Sequence, residues 1–220
     1  MSANFNNAAL FYDRLSRMVY GKALVDAQRF LLKFIQSDTN VLIVGGGTGW
    51  ILEELAELRP GGLRITYIEV SAKMTALSKK RIVGNNQVIF INDGVENVKL
   101  TERFDVVMTP FLFDNFTEAT FQMVFGHIHT SLKPGGLWLN SDFKLTGKWW
   151  QEVLLKSMFL FFRIVCGIEA SKLPEIENRF SEFRYKENAG KSFFGDFIVC
   201  QVFGKTKAIS EGPVCRIKLR

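Results

Sequence analysis

Cysteine and histidine are scarce in this sequence. Its 220 residues include three cysteines, Cys166, Cys200 and Cys215, and two histidines, His127 and His129. Three scattered cysteines are too few for a disulfide framework or a CxxC metal site. Two histidines also leave little from which to build a metalloenzyme or a Ser/His/Asp hydrolase. We therefore predict a protein without a bound metal.

Targeting and membrane-spanning patterns are missing as well. Residues 1–10 show no basic stretch followed by an apolar run, so no secretory signal is visible and we expect a cytoplasmic protein. The apolar stretch 148–166 is interrupted by Lys156 and Arg163, and a bilayer requires about 20 apolar residues. We therefore expect no transmembrane segment.

The excess of positive charge is concentrated at one end of the chain. The formal net charge is +6, and residues 205–220 carry five basic side chains against Glu211 alone, which accounts for four of those six charges. We expect a solvated basic tail, with RNA or membrane contact as the alternative. The rest of the chain is nearly neutral, so a nucleic-acid partner is not favoured. The sequence leaves the oligomeric state open.

Hydrophobic periodicity predicts an α/β fold. Apolar residues at helical spacings indicate a helix over residues 7–35, which Gly21 breaks or bends. Short apolar runs then alternate with helical patterns, which is typical of a parallel sheet covered by helices on both faces. The predicted strands are 41–44, 63–68, 88–91, 104–108 and 137–140.

The carboxyl third follows a different pattern. Residues 148–166 predict a helix rich in aromatic residues, and two runs, 179–186 and 193–203, flank Asn188-Ala189-Gly190. Asn and Gly favour a turn, so we expect an antiparallel hairpin at the end of the sheet. The sequence therefore predicts a mostly parallel sheet that closes with an antiparallel pair.

A glycine-rich loop follows the first predicted strand. Gly45-Gly46-Gly47-Thr48-Gly49 has more glycine than a tight turn needs, although a turn remains the simple alternative. Such a loop brings backbone close to a ligand at a helix amino terminus. The dinucleotide fingerprint places its third glycine where this chain has Trp50, which argues against a pyrophosphate cofactor.

Two carboxylates come at the ends of the next two strands. Glu69 can accept hydrogen bonds from the vicinal hydroxyls of a ribose, and Asp93 can accept one from an adenine amino group. The alternatives are an acid favoured by a helix amino terminus at Glu69 and a turn-forming Asp before Gly94. Together with the loop, they predict a site for a ribose and an adenine without phosphates.

These motifs resemble those of the class I S-adenosylmethionine-dependent methyltransferases. The similarity spans about residues 35–142 and includes the glycine loop, Glu69, Asp93-Gly94 and the run 132–136. Residues 11–13 resemble the amino-terminal cap of the small-molecule branch that includes quinone-biosynthesis methyltransferases. The resemblance implies a three-layer Rossmann-like sandwich, with a mostly parallel seven-stranded sheet and an antiparallel last strand.

The resemblance also implies roles for individual residues. The cofactor would be S-adenosylmethionine, which is released as S-adenosylhomocysteine. In the family, glycines surround its methionine part, an acid binds the ribose, further residues border the adenine and one residue lies near the sulfonium. In that order they are Gly45, Gly46, Gly47 and Gly49; Glu69; Val70, Met74, Asp93 and Gly94; and Thr109.

This sequence departs from the pattern of the family at two places. Ile43 stands where the family often has an acid that helps to hold the cofactor's amino group, so this contact must come from backbone, water or another side chain. The run 109–112 reads Thr-Pro-Phe-Leu and differs from the motif of enzymes that methylate nucleic-acid amino groups. We therefore do not expect methylation of adenine or cytosine in DNA or RNA.

The acceptor side is predicted from composition. Aromatic residues follow strands four and five, and they form either ordinary core or the wall of a pocket for an apolar or aromatic acceptor. They are Phe111, Phe113, Phe116, Trp149, Trp150, Phe159, Phe161 and Phe162. Across the whole sequence, aromatic or not, the residues predicted to contact the substrate are Tyr12, Phe111, Asp114, Trp149 and Trp150. Tyr12, Asp13, Asp114 and Asp142 are candidate general bases, and no spacing selects one.

We predict a helical cap over residues 1–36, a methyltransferase domain over 37–204 with a helical insertion or lid at 148–178, and a basic tail over 205–220. The predicted function is direct transfer of a methyl group to a small acceptor. Alternatives are an RNA or protein methyltransferase, a non-catalytic cofactor-binding protein, another enzyme of this fold such as an aminopropyl transferase, or a dehydrogenase that Trp50 disfavours.

Overall fold

The computed structural model of the protein describes residues 5–7 and 18–206. Predictions for Tyr12, Asp13 and Cys215, and for all but the first two residues of the basic tail, lie outside this part of the chain. Within it, the helix predicted over 7–35 is indeed broken at Gly21, where φ is +60°. Residues 18–20 are helical and helix α1 follows the turn.

A single seven-stranded sheet organises the fold, in the order β3-β2-β1-β4-β5-β7-β6. Strands β1 to β5 pair in parallel, and β7 runs antiparallel to both β5 and β6. The predicted mostly parallel Rossmann-like sheet with an antiparallel last strand is confirmed. The strands are β1 Asn40–Val44, β2 Gly61–Ile68, β3 Asn85–Ile91, β4 Phe104–Pro110, β5 Leu132–Phe143, β6 Tyr185–Phe193 and β7 Ile198–Lys205.

Helices cover both faces of the sheet because the central strands are apolar on both sides. All five residues of β1 are buried: Val41 and Ile43 join one core cluster, and Leu42 and Val44 join the other. The helices are α1 Ala23–Leu32, α2 Trp50–Leu58, α3 Ala72–Ser78, α4 Glu118–Ser131, α5 Trp149–Cys166 and α6 Ile176–Glu182. The resulting three layers match the predicted sandwich.

Local capping explains where two of these helices begin. The Ser71 hydroxyl accepts a hydrogen bond from the Met74 N–H at 3.3 Å, and the Thr117 hydroxyl accepts one from Thr120 N–H at the same distance. Both residues satisfy backbone donors that have no partner within the first helical turn. Helix α3 ends at Ser78, and β3 begins at Asn85.

The predicted turn of the final hairpin is wrong. Asn188-Ala189-Gly190 lies within β6, next to an irregularity of register between Glu187 and Ala189. The chain reverses at residues 194–197 instead. The first half of the run 179–186, predicted as a strand, is occupied by the end of α6, because Phe180 packs into the core from a helix. The antiparallel pairing itself is confirmed.

Residues 5–7 and 18–206 contain no helix that combines the length and the hydropathy required to cross a bilayer. The same residues contain no group of three or more His, Cys, Asp or Glu side chains placed to hold a metal ion.

Candidate active site

A cavity of about 710 Å³ opens at the carboxyl ends of β1 and β4. These strands are neighbours in the middle of the sheet, where the chain order reverses, and ligands of open α/β sheets bind at such a point. Loop residues after both strands line the cavity, among them Gly45 to Thr48 after β1 and Phe111 to Leu112 after β4. The fold therefore presents a cavity where the sequence predicts the site.

The glycine loop lies close against β2. A Cβ added at Gly46 would lie 2.5 Å from the Tyr67 ring, so only glycine fits there without displacing that ring. The Tyr67 hydroxyl donates a hydrogen bond to the Gly47 carbonyl at 3.0 Å and fixes the loop's path. Gly45, Gly46 and Gly47 all line the cavity. Backbone is thus exposed to any ligand that enters.

Gly49 serves the packing of helices and does not line the cavity. It caps α2 with a φ of +78°, and a Cβ there would lie 2.5 Å from the Ser78 Cβ on α3. The sequence predicts that Gly49 contacts the cofactor, but the structure places Gly49 outside the cavity, where α2 packs against α3. The residue that follows, Trp50, does line the cavity.

Glu69 joins the glycine loop to the start of α3. Its carboxylate accepts hydrogen bonds from the Gly47 N–H at 3.0 Å and from the Ser71 N–H at 2.9 Å. Burial raises the pKa of Glu69 above its usual range, and these N–H groups act in the opposite direction. The side chain is only 5% exposed but lines the cavity. A carboxylate held this rigidly is suited to orient hydroxyl groups of a ligand.

The remaining residues predicted around an adenine also meet here. Val70, Met74, Asp93 and Gly94 all line the cavity. Asp93 accepts hydrogen bonds from the Gly94 N–H at 2.7 Å and from the Asn97 amide at 2.8 Å, as its turn-forming alternative requires. We name this region the glycine-loop end of the cavity, formed by Gly45–Gly47, Glu69, Val70, Met74, Asp93 and Gly94.

Aromatic side chains and a methionine form a second group of lining residues, which we name the aromatic end: Tyr20, Phe111, Phe143, Met158 and Phe162. The Phe143 ring lies 5.5 Å from that of Tyr20 and 5.3 Å from that of Phe111. The Tyr20 hydroxyl donates to the Met158 sulfur at 3.4 Å. Phe111 has a φ of +51°, a strained conformation for a non-glycine residue of the kind found at functional sites.

Two buried carboxyl groups lie beside the aromatic end. Asp114 lines the cavity and is 6% exposed, while Asp142 is fully buried at the end of β5. Asp142 accepts hydrogen bonds from the Phe113 N–H at 3.2 Å and the Phe143 N–H at 2.9 Å. Burial raises the pKa of Asp142 to about 7. Burial and the charge of Asp142 both raise the pKa of Asp114.

Three other residues predicted at the site do not line the cavity. The Thr109 hydroxyl donates to the Asn140 side chain and accepts from the Trp138 indole N–H, both at 2.9 Å, so it belongs to the buried sheet. Trp149 is 77% exposed on the outer side of α5. Trp150 packs against Phe194 and Phe197.

The aromatic residues predicted to line an acceptor pocket divide between pocket and core. Phe111, Phe116, Phe161 and Phe162 line the cavity. Phe113 and Phe159 are buried in the two core clusters. Sequence reasoning missed several lining residues that come from helical segments, because an apolar side chain on a helix looks the same whether it faces a cavity or the core. They include Tyr20, Leu24 and Met158.

Comparisons with known proteins agree with this geometry. Residues 41–136 match the model of a family described as a methyltransferase domain. Over these residues the chain is similar to the class I methyltransferases. The chain is also 27% identical over 185 residues to the ubiquinone/menaquinone biosynthesis C-methyltransferase UbiE of Geotalea daltonii, an alignment that covers 81% of the chain and 74% of the relative.

A second relative of the chain is the malonyl-[acyl-carrier protein] O-methyltransferase 2 of Ilyobacter polytropus. The two are 26% identical over 149 residues, which cover 65% of the chain and 53% of the relative. The chain thus spans about half the length of the malonyl-[acyl-carrier protein] methyltransferases it matches. Among solved structures, magnesium protoporphyrin IX methyltransferase of Synechocystis with bound SAH superposes with a TM-score of 0.65 at 14% identity, covering 92% of this chain and 96% of that one. At that identity, the likeness concerns the fold.

Proposed function

We propose that this protein transfers the methyl group of S-adenosylmethionine to a small, largely apolar acceptor. One observation carries the proposal: the Glu69 carboxylate, fixed by the Gly47 and Ser71 N–H groups, lines the same cavity as a loop whose Gly46 leaves no space for a side chain. A site that combines close backbone with an oriented carboxylate suits a nucleoside without phosphates.

The chain's residues fit the proposed cofactor. Glu69 would accept from the ribose hydroxyls, Asp93 would border the adenine, and Val70 and Met74 would pack beside it, since all four line one end of the cavity. Ile43, at the position where a carboxylate is common in the family, is fully buried in the core. When bound, the cofactor supplies a methyl group already activated by a positively charged sulfur. The protein's work is therefore to position the acceptor and exclude water.

The aromatic end supports an apolar acceptor. Tyr20, Phe111, Phe143 and Phe162 offer rings to the cavity, and ring faces bury apolar ligands without a loss of hydrogen bonds. The relative from Geotalea is named for ubiquinone and menaquinone biosynthesis, and as part of the proposal we extend that branch to this chain, but not the methylated carbon that the relative's name gives. The helical cap over 1–36, the lid over 148–178 and a cytoplasmic location stay predictions.

Calorimetric titration tests the cofactor assignment. We expect S-adenosylmethionine and S-adenosylhomocysteine to bind and NADH not to bind. Glu69→Ala should abolish binding of both adenosyl compounds, because it removes the only carboxylate fixed by both the glycine loop and α3 among the described residues. Glu57→Gln, an exposed carboxylate on α2, is the matched control and should bind like the wild type. NADH binding, or full adenosyl binding by Glu69→Ala, would contradict the proposal.

A further inference from the structure

The charges around the cavity are all of one sign in the described part of the chain. No Lys, Arg or His side chain there lines the cavity, although the whole sequence has a net charge of +6. Five carboxylates do line it: Glu69, Asp93, Glu96, Asp114 and Glu169. The overall composition cannot explain an acidic cavity in a basic protein. The charge of the cavity therefore constrains which ligands bind there.

The five carboxylates differ in position and in burial. Glu69 and Asp93 belong to the glycine-loop end and are engaged with backbone N–H groups there. Glu96 and Glu169 are exposed to solvent. Asp114 alone is a buried carboxyl group that lines the cavity beside the aromatic end, within the electrostatic reach of Tyr20 and Asp142.

This arrangement selects against a charged acceptor. An acceptor carboxylate that entered the aromatic end would lose its hydration, find no cationic side chain among the described lining residues and lie beside the buried carboxyl group of Asp114. An ammonium group opposite the sulfur would be repelled by the positive charge of the proposed donor. An uncharged acceptor avoids both costs.

We propose that the acceptor is an uncharged, largely apolar molecule that reacts through a hydroxyl group, and that Asp114 accepts the proton of that hydroxyl. The proposal rests on the proposed function of the cavity and names the substrate class and the general base of that site. An uncharged acceptor would distinguish this chain from the relatives named for a malonyl acceptor, because the free carboxyl group of a malonyl group is anionic at neutral pH.

Asp114 is better placed for this role than the other polar group at the aromatic end. Burial and the charge of Asp114 raise the pKa of Tyr20, so its hydroxyl keeps its proton and donates it to the Met158 sulfur. Asp142 acts as a positioning residue, because it accepts the Phe113 N–H and so fixes the turn that presents Asp114. A pair of neighbouring buried carboxyl groups also takes up a proton more readily than an isolated one.

The step balances without a further reactant. The acceptor oxygen forms a bond to the methyl carbon with its own electron pair, and the bond from that carbon to sulfur breaks with its pair left on sulfur. The hydroxyl proton passes to the Asp114 carboxylate and then to solvent. The products are a methyl ether, a neutral thioether and one released proton, and no metal or oxidant takes part.

Binding of three probes that share one ring system tests the substrate class. The probes are 2-naphthol and 2-naphthoate, titrated by calorimetry into wild-type protein saturated with S-adenosylhomocysteine, and 2-naphthylmethylammonium, titrated into wild-type protein saturated with S-adenosylmethionine, whose positively charged sulfur repels it. We expect 2-naphthol to bind at least about tenfold more tightly than either ion, equal to about 1.4 kcal/mol. Equal or tighter binding of an ion, or no binding of 2-naphthol, would overturn the proposal.

Transfer of a labelled methyl group to 2-naphthol tests the role of Asp114. Asp114→Asn keeps the size of the side chain, so binding of 2-naphthol should change less than about threefold, while turnover falls by about a hundredfold or more. Turnover of the wild type should rise with pH, because Asp114 must lose its proton before it accepts another, and the variant should lack this rise. The described groups that act on Asp114 are Asp142 from β5 and Tyr20 from the segment before α1.

Two results separate this proposal from the proposed function. If S-adenosylhomocysteine does not bind to the wild-type protein, the cofactor assignment itself is refuted. If the cofactor product binds and Asp114→Asn retains wild-type turnover and pH profile, only the proton acceptor is refuted. Glu152→Gln, an exposed carboxylate on the outer side of α5, is the matched control and should leave both binding and turnover unchanged.

Discussion

The two ends of the cavity are built in different ways. The glycine-loop end is held by hydrogen bonds between a carboxylate and backbone N–H groups, at 2.9 and 3.0 Å from Glu69. The aromatic end is held by ring contacts, such as those of Phe143 with Tyr20 and Phe111 at 5.5 and 5.3 Å. A backbone-built end admits few substitutions, whereas a side-chain-built end can change residue by residue without altering the sheet.

This difference indicates how one fold serves many acceptors. Hydrogen-bond geometry restricts the glycine-loop end to one kind of ligand, because each donor and acceptor has a fixed direction. Packing at the aromatic end depends on the volume and shape of the side chains that meet there, and volume-conserving apolar substitutions are tolerated at such positions. Substitutions at the two ends should therefore affect different ligands, and the following predictions test that separation.

The largest effect is expected at Gly46. Gly46→Ala places a Cβ 2.5 Å from the Tyr67 ring, which must move and weaken its hydrogen bond to the Gly47 carbonyl. Overpacking of this kind costs about 1–3 kcal/mol, so affinity for S-adenosylhomocysteine should fall by about ten- to a hundredfold, as measured by calorimetry. Binding of 2-naphthol should change little.

Gly126→Ala is the matched control for that substitution. A Cβ at Gly126, within α4, has no neighbour within 4 Å, so it should keep full affinity and gain helix stability. Unchanged cofactor affinity in Gly46→Ala would show that the loop adapts, and the contrast between a rigid end and a variable end would then be lost.

A second prediction places Thr109 in the framework that supports the cavity. Thr109→Val leaves the Trp138 N–H without its acceptor and the Asn140 side-chain oxygen without its donor, both inside the sheet. The free energy of unfolding should fall by about 1–3 kcal/mol, with cofactor affinity unchanged. Urea denaturation and calorimetry measure the two quantities, and the exposed Thr101→Val serves as the control. A loss of cofactor affinity without a loss of stability would return Thr109 to the site.

How much of this could be read from the sequence depends on how each end is built. The glycine loop is contiguous, and Glu69 and Asp93 directly follow apolar runs, so the order of strands in the sheet brings them together. Tyr20 and Met158 are 138 positions apart, and their contact across the cavity depends on how two helical segments pack. No local pattern contains that information.

The final hairpin shows the same limit within the fold. Asn188-Ala189-Gly190 has the composition of a turn, but pairing with β7 holds it in a strand. The actual reversal at 194–197 includes Phe194 and Asp196 with positive φ and is anchored by the Lys148 ammonium, which donates to the Gly195 carbonyl at 2.8 Å. Tertiary contacts therefore override the local preference of the chain.

A third prediction compares two aromatic residues of one helix. Phe162→Ala removes a ring that lines the cavity and lies 6.5 Å from the Phe5 ring. Affinity for 2-naphthol should fall by about tenfold because apolar contact area is lost, and cofactor affinity should be unchanged. Trp149→Ala removes a larger ring that is 77% exposed and should leave both affinities unchanged. The opposite pattern would show that Trp149 contacts the acceptor after all.

The smallest effect is expected from the pH dependence of stability. Burial raises the pKa of Asp142 to about 7 from an ordinary value of 3.8. Between these values the folded protein keeps a proton that the unfolded chain releases, so this carboxyl group contributes stability at low pH that is lost as the pH rises through about 7. Asp142→Asn cannot ionise. Its melting temperature relative to the wild type should therefore be higher at pH 8 than at pH 5, by about 2–4 °C.

The outcome shows whether Asp142, beside the aromatic end, is protonated or ionised in the folded protein. Thermal melts at the two pH values, with the exposed Glu182→Gln as control, measure the difference. A variant that melts below the wild type by the same amount at both pH values would show that Asp142 is ionised throughout and that its hydrogen bonds to the Phe113 and Phe143 N–H groups dominate. The aromatic end would then hold two full charges, and Asp114 would be ready to accept a proton only if a cation from outside the described residues balanced them.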